Sequence, residues 1–428
     1  MNNSVKGENT GRQIDRPTGI SLRNLKTFTS FKNPVFRLFY GGLLGQIGAM
    51  NMQFIAGSLL LYRLTNSAAI LGVMFLANSL PMLALSLIGG VIADRVQKKY
   101  VILIGQSGSA LISLAIALAL TLDYLSSDIP GSWWILVVSG VFQGTIMGLM
   151  MPSRQAILPE IVGEEELMNA VSLTMMGMNI LQIFAPALAG FLIDAFDFKS
   201  VYYTMTGLYI AAVVFFIFMP GTGAKAIHKD SALADIKEGF KYVRKELNIL
   251  FVLGFSLLAV IFSMPYGMLL PVFADDVLNV GASGLGIMMS VVGSGAIVSS
   301  ITLASLPNKK RGVILLASGV LLGLALTGFS FSKTWPLSLS LLVFIGIGQT
   351  VRMTLSNTLV QYYVDSIYRG RVMSLYMMQF GMASFGTFTA GLLAEAFGVQ
   401  WAVGGFAIAL VLMSILSLLF LPRIRNLD

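Results

Sequence analysis

Cysteine is absent from this chain of 428 residues, and histidine occurs once, as His228 in a charged segment. These absences exclude disulfides, thiolate metal sites and thiol catalysis, and a lone histidine cannot supply a metal cluster. Charged residues are also scarce, at 11% of the chain, against about 25% in an ordinary soluble domain. Because 56% of the residues are hydrophobic, too few polar side chains remain to cover a water-exposed surface. The chain is therefore predicted to be a multi-pass membrane protein.

The sequence also lacks the motifs of several enzyme classes. It has no G-x-x-x-x-G-K-[ST] phosphate-binding loop, so the chain is not expected to hydrolyse ATP. No paired acids, metal cluster or activated nucleophile lies within an apolar run, which argues against a membrane-embedded enzyme. We therefore expect no catalytic residues, no cofactor and no metal. The first residues are not expected to form a signal peptide, because they are polar and basic and lack an apolar core.

What the sequence does contain is a series of apolar runs long enough to cross a bilayer as helices. The predicted fold is an all-α membrane protein with twelve transmembrane helices in two pseudo-symmetric six-helix bundles. The expected spans are 36–62, 67–93, 99–121, 132–153, 167–193, 199–219, 249–274, 283–306, 312–332, 336–362, 372–396 and 399–421. The expected divisions are a cytoplasmic tail (1–35), an N-terminal bundle (36–219), a cytoplasmic linker loop (220–248), a C-terminal bundle (249–421) and a second cytoplasmic tail (422–428).

The distribution of basic residues supports this helix count. With the N-terminus inside, 24 of the 28 Lys and Arg residues fall in inner segments, 3 fall in outer segments, and Arg352 lies within a span. Inner loops of membrane proteins carry such an excess of Lys and Arg. The pattern predicts a plasma (inner) membrane protein with both termini in the cytoplasm. The net charge of +8 is then a topology signal, and no nucleic-acid partner is expected.

The two halves of the chain also resemble each other. AGFLIDAF at 189–196 is echoed by AGLLAEAF at 390–397, and each stretch ends the fifth span of its half. The long polar segment 220–247 separates six spans from six. Two parallel halves with a central site between them are a known transporter plan.

A charged turn between the second and third spans is the most specific motif. GGVIADRVQKK, residues 89–99, places Asp94 at a helix end and follows it with Arg95, Lys98 and Lys99. The basic residues could simply fix topology and solvate the turn. A carboxylate at the edge of the hydrocarbon, however, should have a partner, such as an arginine or a helix N-terminus.

From Gly90 to Lys99 this turn resembles the G-x-x-x-D-R-x-x-[RK]-[RK] signature of the major facilitator superfamily. Four further segments resemble those of a branch that contains macrolide-efflux proteins and siderophore exporters of the enterobactin type. They are PSRQAILPEIV, EGFKYV, LLPVFADDVL and YRGRVMSLY. The resemblance covers the whole chain. It implies a gate in which Asp94 engages the amino end of the eleventh helix, near Arg371. The second-half counterpart, SLPNKKRG, keeps the basic residues but has lost the acid.

The sequence departs from that family at the positions that usually relay protons. Gly140 stands where many drug exporters have an arginine, and Gly48 is followed by Ala49 rather than by an acid. No span carries an acid well inside it. The coupling ion and the direction of transport therefore stay open.

Neutral polar residues inside the spans are the remaining candidates for a binding site. Such amides are often contacts between helices, but spans one, four, seven and ten line the cavity in the family. Arg352 lies about 15 Å from the inner end of its span, beyond easy snorkelling reach, so it should face protein or a wet cavity. The predicted substrate-binding residues are Gln46, Gln53, Gln143, Tyr266, Gln349 and Arg352.

The resemblance implies a secondary active transporter that works by alternating access, possesses no enzymatic activity and acts as a monomer in the lipid bilayer. Its expected substrate is an amphipathic small molecule, such as a drug, a macrolide or a siderophore-like compound. The family includes antiporters and multidrug-resistance transporters, so the resemblance also implies coupling to protons. Two alternatives stay open at this point, namely a lysolipid or lipid carrier of the same fold and a non-transporting sensor.

Overall fold

The computed structural model describes residues 29–221, 232–305, 309–365 and 367–427, and in these residues the chain is helical without strands. The predicted tail therefore lies largely outside the described residues, as does His228. Twelve long helices are numbered here in chain order. They are α1 (Pro34–Thr65), α2 (Ala68–Arg95), α3 (Lys98–Thr121), α4 (Trp134–Gly163), α5 (Glu165–Ala195), α6 (Phe198–Phe218), α7 (Leu247–Val277), α8 (Gly281–Ser305), α9 (Arg311–Phe331), α10 (Trp335–Tyr363), α11 (Arg369–Phe397) and α12 (Val399–Phe420).

The predicted fold class is confirmed, with each expected span corresponding to one of these helices. Eleven helices in the described residues are long and apolar enough to cross a membrane. The exception, α11, is less apolar because it contains two arginines, a glutamine and a glutamate. At 29 residues it is about 43 Å long, which exceeds the hydrocarbon core of about 30 Å.

Local sequence explains where the helices end or bend. Asn33 caps α1 by accepting hydrogen bonds from two backbone amides of the first turn. Gly163 separates α4 from α5 with φ of +70°, a backbone conformation that favours glycine. Two prolines, Pro265 and Pro271, interrupt α7, which ends in a π-helical turn at Phe273–Val277.

The first six helices pack mainly on one another, and so do the last six. The halves meet along two lines, where α2 lies against α11 and α5 lies against α8. One end of the molecule, here called the terminal face, holds the beginnings of α1, α3, α5, α7, α9 and α11. The other end, here called the opposite face, holds the beginnings of the even-numbered helices.

Glycines allow the close helix contacts. Glycines of α4 pack on α2, since Gly144 lies against the carbonyl oxygen of Asn78 and Gly148 lies against Met82. Gly89 in turn lies against the backbone of Gly148 and Leu149. A side chain at these positions would clash with backbone, as expected for small-residue packing in membranes.

The predicted linker loop contains a helix that the sequence reasoning missed. Ala232–Lys245 is helical, and we call it the linker helix. It is anchored on the start of α11, because the ring of Tyr242 stacks on that of Tyr368 at 4.3 Å. Its many charges suggested a solvated loop, but apolar side chains recur along one side of it.

Candidate functional site

The repeated stretch at the end of α5 joins the two halves at the opposite face. Gly190 lies against the backbone of Ala282 and Ser283, at the beginning of α8. One turn later, Asp194 Oδ2 accepts a hydrogen bond from the backbone amide of Ser283 at 2.7 Å. A carboxylate at a helix N-terminus satisfies an unpaired amide and is favoured by the helix dipole.

The second copy of the repeat makes the corresponding contact from the other half. Gly391 on α11 lies against the backbone of Ala68 and Ala69, at the beginning of α2. Glu395 Oε2 accepts hydrogen bonds from the Ser67 hydroxyl at 2.7 Å and the Ala69 amide at 3.2 Å. The internal similarity therefore encodes a pseudo-symmetric pair of inter-half contacts, each with a glycine and an acid four residues later.

A third group of contacts joins the two halves, at the opposite face between the two repeated stretches. Arg63, in the last turn of α1, forms a two-pronged ion pair with Asp275, with nitrogen–oxygen distances of 2.8 and 3.1 Å. The neighbouring Tyr62 hydroxyl donates to Asp276. Both acids lie in the π-helical turn that ends α7. Together with Asp194 and Glu395, they place four carboxylates across the junction of the halves, which we call the opposite-face latch.

A cavity of about 180 Å³ lies between the halves, deeper in the molecule than the latch. Tyr266 and Gln349, both predicted from the sequence, line it, and the Tyr266 hydroxyl donates to Gln349 Oε1 at 3.3 Å. Two further amides, Asn51 on α1 and Gln182 on α5, also line the cavity. The remaining lining is apolar and includes Phe54, Phe75, Met264, Met268, Leu270, Met289 and Val292.

Three other predicted residues lie in contacts within the N-terminal half. Gln46 is fully buried, with Nε2 at 3.9 Å from the sulfur of Met150. Gln143 is buried and donates to the Ser109 hydroxyl at 3.2 Å. Gln53 is half-buried and accepts from the Tyr209 hydroxyl at 3.3 Å. In this conformation the structure does not bring these amides to the cavity; their predicted role in binding stays a prediction.

Arg352 is buried on α10, one turn from Gln349 in the direction of the terminal face, with 3% of its surface exposed. Its Nε and Nη1 atoms have no hydrogen-bond partner among the described residues, and neither does the hydroxyl of Ser356, one turn further on. The side chain therefore does not snorkel to the surface. A buried cation without full pairing is costly in a protein interior, which makes Arg352 a candidate to meet an anionic group.

The basic residues of the α2–α3 turn bind within the N-terminal half. Lys98 is buried and forms a 2.6 Å ion pair with Glu160 on α4. Lys99 donates to the carbonyl oxygens of Ile217 and Met219 at the end of α6. Arg95 is exposed, and Gly90 has open space beside it. These two lysines thus tie the turn to α4 and α6, as basic groups at helix C-termini commonly do.

The other two residues of the predicted gate are Asp94 and Arg371. Asp94 occupies the last turn of α2, and its engagement of α11 stays a prediction. Arg371, in the first turn of α11, pairs with Glu238 of the linker helix at 2.9 Å. Its guanidinium also lies 5.8 Å from the ring centre of Tyr368, within range of a cation–π contact.

Residues 25–428 match the family model described as "Transmembrane secretion effector". The chain belongs to this family of the major facilitator superfamily. Members of this family are membrane transporters for small molecules and not enzymes. The chain is therefore a membrane transporter.

Known proteins similar to this family member include siderophore transporters. A staphyloferrin A transporter of Staphylococcus aureus is 26% identical over 371 residues, covering 86% of this chain and 90% of that protein. An enterobactin exporter, EntS, of Citrobacter koseri is 27% identical over 429 residues, covering 95% of each chain. Among solved structures, a peptide transporter bound to sulfate superposes with a TM-score of 0.72 at 15% identity, covering 92% and 95% of the two chains. That likeness concerns the fold alone.

Some residues of the cavity and of the latch were not predicted from the sequence. Asn51 and Gln182 were visible as polar residues within spans, but the sequence offers no measure of how each helix is rotated about its axis. The sequence places no acid well inside a span, and the latch acids lie at the ends of α5, α7 and α11. A signal was present for Asp194 and Glu395, because both occupy the same place in the internal repeat.

Proposed function

We propose that the protein exports an amphipathic, siderophore-like small molecule by alternating access, as a secondary active transporter. The observation that carries this proposal is the opposite-face latch beside a largely apolar cavity that both halves line. Four carboxylates of the latch accept hydrogen bonds across the junction of the halves. A site between two such halves becomes accessible from alternate sides when they rock.

The proposed orientation in the plasma (inner) membrane places the terminal face, with both termini, in the cytoplasm. The excess of Lys and Arg in segments on this face supports it. The conformation described here is then closed to the outside, and cytoplasmic substrate would reach the cavity from the terminal face. We propose a monomer as the working unit.

The nature of the substrate is proposed from the cavity lining and from the relatives. Asn51, Gln182, Tyr266 and Gln349 offer hydrogen bonds within an otherwise apolar cavity, and ligand sites commonly combine an apolar lining with a few polar groups. Arg352 supplies positive charge one turn away. Two relatives are named as siderophore transporters, the staphyloferrin A transporter and the enterobactin exporter.

Counterflow in proteoliposomes tests this function. We expect an unlabelled siderophore trapped inside the proteoliposomes to drive uptake of the same siderophore in labelled form. A macrolide and a lysolipid are the comparison compounds. Repeating the assay with and without a pH gradient tests the proposed coupling to protons. Counterflow with the lysolipid alone would establish the lipid-carrier alternative, and its absence for every compound would contradict transport.

Asp94 provides a further prediction about the gate. We propose that it engages the amino end of α11, near Arg371, when the terminal face closes. Asp94→Asn removes the charge of this contact, so we expect slower turnover and a larger inward-facing population. Reaction of a cysteine placed at Met176, which is exposed on the terminal half of α5, with an impermeant maleimide measures that population. Equal reaction rates with and without the Asp94→Asn change would contradict the role of the charge.

A further inference from the structure

A second, larger groove of about 520 Å³ lies away from the central cavity, between α7 and α11. Leucines and methionines form its walls, and the linker helix closes its terminal end with Phe240 and Val243. The other lining residues are Leu250, Leu253, Gly254, Leu257, Leu375, Tyr376, Met378, Gln379 and Met382. No residue of this groove lines the central cavity.

The rim of the groove is apolar and exposed, as expected for a surface that faces acyl chains. Leu258, Met378, Met382 and Phe385 each expose at least 41% of their surface. The groove contains few polar groups, and the Ser256 hydroxyl donates to one of them, Gln379 Oε1, at 2.7 Å. An elongated hydrocarbon chain suits this lining better than a polar solute does.

Basic side chains stand at the terminal end of the same groove. The guanidinium of Arg244 lies 5.5 Å from the ring centre of Phe240, which places its positive charge at the mouth. Lys241 and Lys245 are exposed on the same helix. The linker helix holds this position because Glu238 pairs with Arg371 on α11 at 2.9 Å.

We propose that this groove binds one anionic phospholipid of the bilayer. Its phosphate pairs with Arg244, and one acyl chain lies between α7 and α11; Lys241 and Lys245 add positive charge on the linker helix. Basic pockets beside transmembrane helices bind anionic lipid headgroups by the same combination of charge and buried hydrocarbon. The bound lipid bridges α7, α11 and the linker helix, and it is a resident ligand rather than the transported substrate.

Native mass spectrometry of the full chain in detergent tests the proposal. The probes are phosphatidylglycerol and phosphatidylcholine with identical acyl chains. We expect one phosphatidylglycerol to bind more tightly than phosphatidylcholine. The combined change Lys241→Gln, Arg244→Gln and Lys245→Gln should weaken phosphatidylglycerol binding by about fivefold for each charge removed.

A second variant tests the acyl-chain part of the site. A side chain at Gly254 would enter open space, so Gly254→Phe should fill the groove and weaken the binding of phosphatidylglycerol at least as much. Gly207→Phe on α6, where a side chain also meets open space, is the matched control and should leave binding unchanged. A phosphatidylglycerol with a photoreactive acyl chain should label peptides of α7 and α11. Equal affinity for the two lipids, or no effect of either variant, would overturn the proposal, as would labelling elsewhere or transport of the bound lipid.

Discussion

Asp194→Asn combined with Glu395→Gln should open the opposite face. Each carboxylate accepts a hydrogen bond from the backbone amide at the start of a helix in the other half. Both acids are exposed, and the amide oxygens of Asn and Gln can still accept these bonds, so the variants remove only the charge at each helix N-terminus, worth up to about 1 kcal/mol. Losing both charges should therefore cost the closed state about 2 kcal/mol, a shift of roughly 30-fold in the equilibrium.

Labelling of a cavity residue from the opposite face measures this shift. The chain has no cysteine, so Met289→Cys, which lines the cavity, introduces a single reactive thiol. We expect an impermeant maleimide added at the opposite face to react far faster in the double variant. Asp128→Asn is the matched control, because Asp128 bonds only to nearby Ser126 among its described contacts. Equal labelling in all three proteins would contradict the latch.

Arg352→Met should reduce transport of an anionic substrate by roughly 30-fold or more without destabilising the protein. The wild-type guanidinium is buried with two nitrogens lacking partners among the described residues, so an apolar side chain of similar length removes a costly buried charge. Losing a desolvated charge partner costs about 2 kcal/mol or more, which corresponds to roughly 30-fold in kcat/KM. Proteoliposome counterflow and a thermal unfolding curve measure the two effects.

Two further variants separate charge from shape at this position. Arg352→Gln should reduce transport to a similar extent, whereas Arg352→Lys keeps the charge and should retain more of it. An uncharged substrate should be affected much less than an anionic one. Transport unchanged in both Arg352→Met and Arg352→Gln would contradict a role in binding, and a large fall in the unfolding temperature would indicate a structural role instead.

The helices were predictable because bilayer thickness fixes how long an apolar run must be. Most bounds moved by a few residues, but α4 continues ten residues beyond its expected end at 153, to Gly163, where positive φ separates it from α5. The linker helix was not predictable from composition, because its charges suggested a solvated loop. Its position depends on Tyr242 stacking on Tyr368, a contact that joins two distant parts of the chain.

The candidate site was predictable only in part, for two physical reasons. The position of a polar residue within a span gives its depth in the membrane but not the direction in which its side chain points. Tyr266 and Gln349 therefore line the cavity, whereas Gln46 and Gln143 bind within one half. Pairing between distant residues is the second difficulty, since Arg63 and Asp275 are separated by 212 positions. The repeat alone carried inter-half information, through Asp194 and Glu395.

Electron–electron distance measurements across both faces test the central claim most directly. One spin-label pair at Lys199 and Lys333 joins exposed positions of the two halves at the opposite face, and a second at Tyr100 and Arg423 does so at the terminal face. Alternating access predicts that breaking the latch with Asp194→Asn and Glu395→Gln lengthens the first distance and shortens the second. Both distances changing in the same direction, or neither changing while transport continues, would contradict it.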